Sequence, residues 1–180
     1  MKVVALVGMA GSGKSEVSRI FEGIGYQRVR FGDVTDEEVA RRGLKLNEVN
    51  EKLVRESLRI EHGKAIYAKL SMLKIDMFLK SSHVIVDGLY SWEEYLVLRE
   101  KYANNLTLIL VHSSPDARYG RLAKRSTRPL TRQEAVGRDA AEIENINKGG
   151  PIAMADHVII NDSSFDDLKN QTQQIIEALG

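Results

Sequence analysis

Apolar residues in this chain follow two alternating rhythms. Short unbroken runs, the first from Val3 to Val7, are separated by longer stretches in which apolar positions recur every three or four residues. An unbroken β-branched run is the mark of a strand buried on both faces. Tyr26 to Phe31 is expected to form a second strand, ending at Gly32-Asp33, and third, fourth and fifth strands are expected at 84–88 (VIVDG), 106–112 (LTLILVH) and 157–161 (HVIIN). Between them, Lys14 to Gly23 predicts a helix with Val17, Ile20 and Phe21 on one face, and Asp36–Arg41 predicts a short second one. Leu46, Val49 and Leu53 line one helical face, and Ile66, Leu70, Leu73 and Met77 line another, with Gly63 separating the two helices. Phe165, Leu168, Thr172, Ile175 and Leu179 mark a last helix.

Strands that alternate with helices predict an α/β fold, a parallel sheet between helical layers. No internal repeat or inter-domain linker interrupts the pattern, so residues 1–180 are expected to form one domain. Within it, a helical insert is expected over about 34–80 and a lid over about 118–147. The lid contains RSTRPLTRQEAVGRD (125–139), a polar segment dense in arginine.

A net charge of +1 supplies no global field to attract nucleic acid or an anionic membrane, so any anion site must be built locally. Cysteine is absent, which excludes disulfides, thiolate nucleophiles and Cys-ligated zinc. The histidines (His62, His83, His112, His157) are scattered without metal-ligand spacing. The opening MKVVALVGMAG has too short an apolar run for a signal peptide, and no stretch approaches the roughly 20 apolar residues of a membrane helix. These features predict a soluble cytoplasmic protein with no nucleic-acid or membrane partner; they leave its oligomeric state open.

The segment Gly8-Met9-Ala10-Gly11-Ser12-Gly13-Lys14-Ser15 matches the P-loop pattern in full. Its glycines allow backbone angles closed to other residues and let a phosphate approach the main chain. Successive N–H groups then converge on phosphate oxygens, aided by the N-terminus of the helix that follows. Lys14 can reach β- and γ-phosphates, and the Ser15 hydroxyl can ligate magnesium. The motif follows a strand and opens a helix, as that mechanism requires. ATP and Mg2+ are accordingly the expected nucleotide and metal.

Asp87 closes the run VIVD. If its strand neighbours the first one, its carboxylate emerges beside the P-loop and can hold magnesium directly or through water. A P-loop serves many reactions, so the rest of the chain must choose among them. No N-K-x-D guanine motif occurs. Arg118, Arg121, Arg125, Arg128, Arg132 and Arg138 crowd into the lid, and the first three stand at helical spacings of three and four. Planar arginine donors suit the charge spread over a migrating phosphoryl group, and Arg121 and Arg125 are the best candidates. Asp33 ends the second strand, where ligands of open α/β sheets sit, and can orient an acceptor hydroxyl and take its proton. The pattern therefore predicts a phosphotransferase that joins ATP to a small-molecule acceptor; the alternative is an ATP-dependent switch with no such acceptor. The lid lacks the interleaved aromatics of an RNA-binding platform.

The stretches GMAGSGKSEV, FGD, VIVDGLYS and GGPIAMADHVIIND together resemble an uncharacterised archaeal P-loop family related to dephospho-CoA kinases and adenylate kinases, nearly end to end. The resemblance implies the strand order 2-3-1-4-5. Ala155-Asp156-His157-Val158-Ile159-Ile160-Asn161 is similar to the segment that follows the arginine lid in dephospho-CoA kinases, which implies Asn161 and Asp162 as base-site residues. Phe31-Gly32-Asp33 is closer to the adenylate-kinase pattern for a nucleoside monophosphate, and implies a nucleotide or nucleotide-like acceptor.

Overall fold

In the computed structural model, which describes residues 1–180, β1 (Val3–Val7) is the central strand and all its side chains are buried. Val3 and Ala5 belong to one apolar layer and Val4 and Leu6 to the other, so a strand without a polar position is what two covered faces require. Four strands run parallel to it: β2 (Gln27–Arg30), β3 (Val84–Asp87), β4 (Leu106–His112) and β5 (His157–Ile160). Their order is β2-β3-β1-β4-β5, as the resemblance implied. Leu6 pairs in register with Asp87 on one side and Ile109 on the other, which aligns the carboxyl ends of three strands on one edge.

The helices are α1 (Lys14–Gly23), α2 (Gly32–Arg41), α3 (Glu48–His62), α4 (Ile66–Phe78), α5 (Trp92–Tyr102), α6 (Pro115–Ala123), α7 (Arg132–Glu144), α8 (Gly149–Ala153) and α9 (Phe165–Leu179), with a 3-10 turn at Ala103–Asn105. The larger core packs Val39, Val54, Tyr67, Ile75 and Leu98 against one face of the sheet. On the other face, α1 contributes Val17 and Phe21, and α9 contributes Leu168 and Ile175. A third, small cluster sets Leu122, Leu130 and Ala135 on Ala10 of the P-loop, which seats the α6–α7 segment above the strand ends. No helix is long and apolar enough to cross a membrane.

Several local expectations need correction. The second helix begins at Gly32, directly after β2, so neither Thr35 nor Asp36 caps it and Asp33 lies in its first turn. Leu46, Val49 and Leu53 are exposed; α3 instead buries Glu51, Val54 and Leu58. On α4, Ile66 is buried but Leu70, Leu73 and Met77 face outward, while Tyr67, Ala68, Ser71 and Ile75 are buried. Apolar residues occupy two faces of each helix, and periodicity locates the helix without saying which face the sheet covers. Gly63 does separate the two helices, with φ +84° at the C-cap of α3. Arg125 lies beyond the end of α6, so Arg118, Arg121 and Arg125 do not form one helical face.

Candidate active site

The P-loop spans the turn between β1 and α1. Gly8 has φ +145°, and a Cβ there would lie 2.3 Å from the Val111 carbonyl oxygen; Gly13 has φ +106°, and its Cβ would lie 2.3 Å from Asn161 Nδ2. The loop thus passes too close to β4 and to the end of β5 for any side chain at these positions. No side chain caps α1, so its first N–H groups remain free for an anion.

Lys14 curls back over the loop and donates from Nζ to the carbonyls of Gly8 (2.8 Å) and Met9 (3.0 Å). Its pKa is lowered to about 7, first by burial and then by the charge of Lys148. Ser15 Oγ donates to Asp87 Oδ2 at 3.2 Å, which confirms that adjacent β1 and β3 bring these oxygens together. Arg28 on β2 also ion-pairs with Asp87. Magnesium commonly takes one or two protein oxygens and completes its shell with phosphates and water, so the Ser15–Asp87 pair fits that ion. No group of three or more acidic or histidine ligands exists elsewhere in the fold, so a cation here would draw most of its ligands from a nucleotide.

A cavity of about 430 Å³ opens beside the loop, lined by Gly11, Gly13, Ser15, Arg121, Arg125 and Asn161 among others. Asn161 does not present a free amide: its Nδ2 donates to the Ser12 carbonyl at 2.8 Å, while its backbone carbonyl accepts from Arg121 at 2.7 Å. Asp162 accepts from Ser113 Oγ (2.8 Å) and the Ser114 backbone N–H (2.9 Å), tying the end of β4 to that of β5. Arg121 also donates to Ser113 Oγ at 2.9 Å. Arg125 makes no hydrogen bond. Although the residue is exposed, partial desolvation of its guanidinium and then the neighbouring guanidinium groups of Arg138, Arg128 and Arg30 hold its pKa below the usual arginine value. Arg118 is buried and scaffolds the segment, pairing with Asp139 at 2.6 Å and donating to the Ala10 carbonyl at 3.1 Å.

A second cavity, of about 550 Å³, lies between α3 and α7 and is lined by Val49, Arg55, Arg59, Tyr90, Arg138 and Glu142 among others. A chain of ion pairs runs along it. Lys148 meets Glu142 at 2.6 Å, Glu142 meets Arg138 at 3.2 Å, and Arg138 meets Glu48 at 3.1 Å. From Glu48 it continues to Arg55 (2.6 Å), Glu51 (3.4 Å), Arg128 (2.8 Å) and Asp36 (3.3 Å). It ends at Arg30, which holds both Asp36 and Asp33 at 2.8 Å. Asp33, half-buried in the first turn of α2, is therefore one terminus of this chain and Lys148 the other.

Sequence reasoning missed Lys148, Glu142, Tyr90 and Arg28. Lys148 is 1% exposed, and its ammonium lies 5.2 Å from the centre of the Tyr90 ring. Burial alone would raise the pKa of Glu142, but Lys148 and Arg138 hold it well below the usual carboxylate range. Glu94 is buried too, and burial pushes its carboxyl up to about 7. None of these residues sits in a motif. Lys148 directly precedes the stretch GGPIAMADHVIIND and stands at the N-cap of α8.

Residues 4–158 match the family model described as "AAA domain". The chain is 35% identical to a "UPF0200 protein" of Thermococcus gammatolerans over 98% of its own length and 95% of that relative's. Among solved structures, it resembles shikimate kinase from Bacteroides thetaiotaomicron with a TM-score of 0.64 and 14% identity, over 99% of this chain and 98% of that one. It also resembles dephospho-CoA kinase from Campylobacter jejuni with a TM-score of 0.58 and 16% identity, over 99% of this chain and 98% of that one. At such identities the likeness shows a fold shared with P-loop kinases.

Proposed function

This chain belongs to the archaeal UPF0200 family, and we propose that it is an ATP- and magnesium-dependent phosphotransferase acting on a nucleotide or nucleotide-like small molecule in the cytoplasm. One observation carries the reading: in addition to the cavity lined by Lys14, Ser15, Arg121 and Arg125, the fold holds a second cavity whose wall carries Arg55, Arg59 and Arg138. Two separate cavities, one of them holding the P-loop lysine, suit transfer between two bound molecules better than they suit hydrolysis.

The roles follow from position. Lys14 exchanges its two carbonyl acceptors for β- and γ-phosphate oxygens, and the amides of residues 8–15 surround the same groups. Magnesium, when bound, would neutralise charge on the phosphate oxygens. Ser15 and Asp87 orient it. Arg125, with no partner of its own, is free to turn toward the migrating phosphoryl group, and Arg121 supports it from the wall of the nucleotide cavity. Asp33, held by Arg30, positions the acceptor. The fold shared with shikimate and dephospho-CoA kinases supports phosphoryl transfer to a small molecule, although fold alone does not choose a substrate.

The test is a panel of nucleoside monophosphates, dephospho-CoA and small hydroxy acids, each incubated with ATP and magnesium and read by mass. A product heavier by one phosphoryl group, formed in step with ADP, is expected. ADP release at one rate whatever the acceptor, with no phosphorylated product, would leave a switch NTPase in its place.

A further inference from the structure

Three arginines line the cavity between α3 and α7, and they differ in one respect. Arg55 pairs with Glu48 and Glu51, and Arg138 pairs with Glu48 and Glu142. Arg59 has neither an ion pair nor a hydrogen bond, and its Nε is buried without a partner. Its guanidinium instead lies over two rings, 4.8 Å from the centre of Tyr67 and 5.9 Å from that of Tyr90. Such stacking is favourable but satisfies none of the five N–H donors. It also restricts the rotamers of the group on the cavity wall.

Glu94 is a carboxylate on which the charge of Arg59 acts, but no hydrogen bond or ion pair joins the two. Glu94, the buried carboxylate beside Tyr90, spends Oε2 on the backbone N–H groups of Tyr90 (2.7 Å) and Ser91 (3.0 Å). Its Oε1 has no partner, and it forms no ion pair with Arg59. Glu56 faces Lys52 at 3.9 Å, and Glu134 caps α7 with Thr131. Lys64, also on the cavity wall, adds a second cation with no ionic partner. Of the Arg59 donors only Nε is buried; the others have no protein partner, and an incoming anion can take them in charge-assisted hydrogen bonds.

We infer that Arg59, supported by Lys64, docks an anionic group, phosphate or carboxylate, at the end of the acceptor remote from the P-loop. The inference rests on the phosphotransferase reading and adds the chemical class of its acceptor. Val49, Ile60, Ala141 and Ile146 form apolar wall in the same cavity, whose volume of about 550 Å³ exceeds what a bare anion needs. The acceptor is therefore an anion with a sizeable carbon-rich or aromatic body, docked by Arg59 at one end and offering its hydroxyl or phosphate toward Lys14 at the other.

The experiment keeps this site separate from turnover. Protein saturated with magnesium and ADP, so that the P-loop is filled, is titrated with phenyl phosphate and with benzoate. Arginine side-chain N–H resonances and calorimetry report binding. The Arg59 signal should move with at least one probe; affinity should fall at least tenfold in Arg59→Met and less in Arg59→Lys, with ADP affinity unchanged in both. The tighter probe identifies the phosphate or the carboxylate class. If neither probe disturbs Arg59, or if Arg59→Met binds them as the unaltered chain does, the inference fails even where the acceptor panel yields a product. If the probes bind through Arg59 and no acceptor is phosphorylated, the docking site stands and the phosphotransferase reading falls.

Discussion

Arg138 on α7 and Glu48 at the start of α3 meet at 3.1 Å, joining the arginine-rich segment to the helical insert across the mouth of the second cavity. Glu48 also holds Arg55, so one carboxylate neutralises two guanidinium groups from opposite walls. The protein's own acids occupy Arg55 and Arg138, two of the three arginines that line this cavity.

Glu48→Gln should loosen that junction. The substitution leaves Arg138 and Arg55 facing each other with less compensation, and a loss of global stability of about 1 kcal/mol is expected for a partly exposed pair. Hydrogen exchange should accelerate in residues 124–147 while the strands stay protected. Unchanged exchange there would show that the small apolar cluster under Leu122 and Leu130, rather than the ion pairs, holds the segment down.

Arg118 and Asp139 behave differently because both are buried. Removing one partner strands a charge, and Arg118→Met alone should cost roughly 3–5 kcal/mol by the cost typical of broken buried pairs. The double substitution Arg118→Met with Asp139→Leu should recover a large part of it, apart from what Tyr119 loses when its hydroxyl no longer donates to Asp139. Urea denaturation of the four proteins measures the cycle; strict additivity would mean the pair is not coupled.

The sequence shows some of this and hides the rest, for physical reasons. The P-loop is legible because converging amides demand glycine at fixed spacings, and the parallel sheet because doubly buried strands admit no polar residue. The roles of the lid arginines are hidden. Spacing makes Arg118 and Arg121 equivalent, yet one is buried against Asp139 and the other braces Asn161, a distinction made by a helix twenty residues away. Arg59 is offered by the helical insert, with Arg55 and His62, as a contact for an acceptor's phosphate, but its stacking on Tyr67 and Tyr90 is not legible there. Lys148 is a single residue whose setting comes from Tyr90 and Glu142, and nothing local announces it.

Lys14 gives a pH signature. Its pKa of about 7 in the folded chain lies below the 10.5 of an ordinary lysine, so between those limits the unfolded chain binds more protons and this residue makes stability rise with pH. Polyphosphate should restore the charge. At pH 8, nucleotide binding should therefore take up close to one proton, less below pH 6, where the free lysine is already charged. Calorimetry in buffers of different ionisation enthalpy reads this directly, and Lys14→Met should abolish the uptake. Equal uptake in that variant would assign the proton to another group.

Everything proposed for the second cavity presupposes that the turn from Gly8 to Ser15 grips a polyphosphate, and titration calorimetry with magnesium and ATP tests that grip. One nucleotide per chain should bind. Gly13→Ala should abolish binding, because its Cβ would lie 2.3 Å from Asn161 Nδ2 at a φ of +106°. Gly120→Ala, where a Cβ meets nothing within 4 Å, should bind normally. No detectable heat or affinity in the unaltered protein, or full affinity in Gly13→Ala, would contradict it.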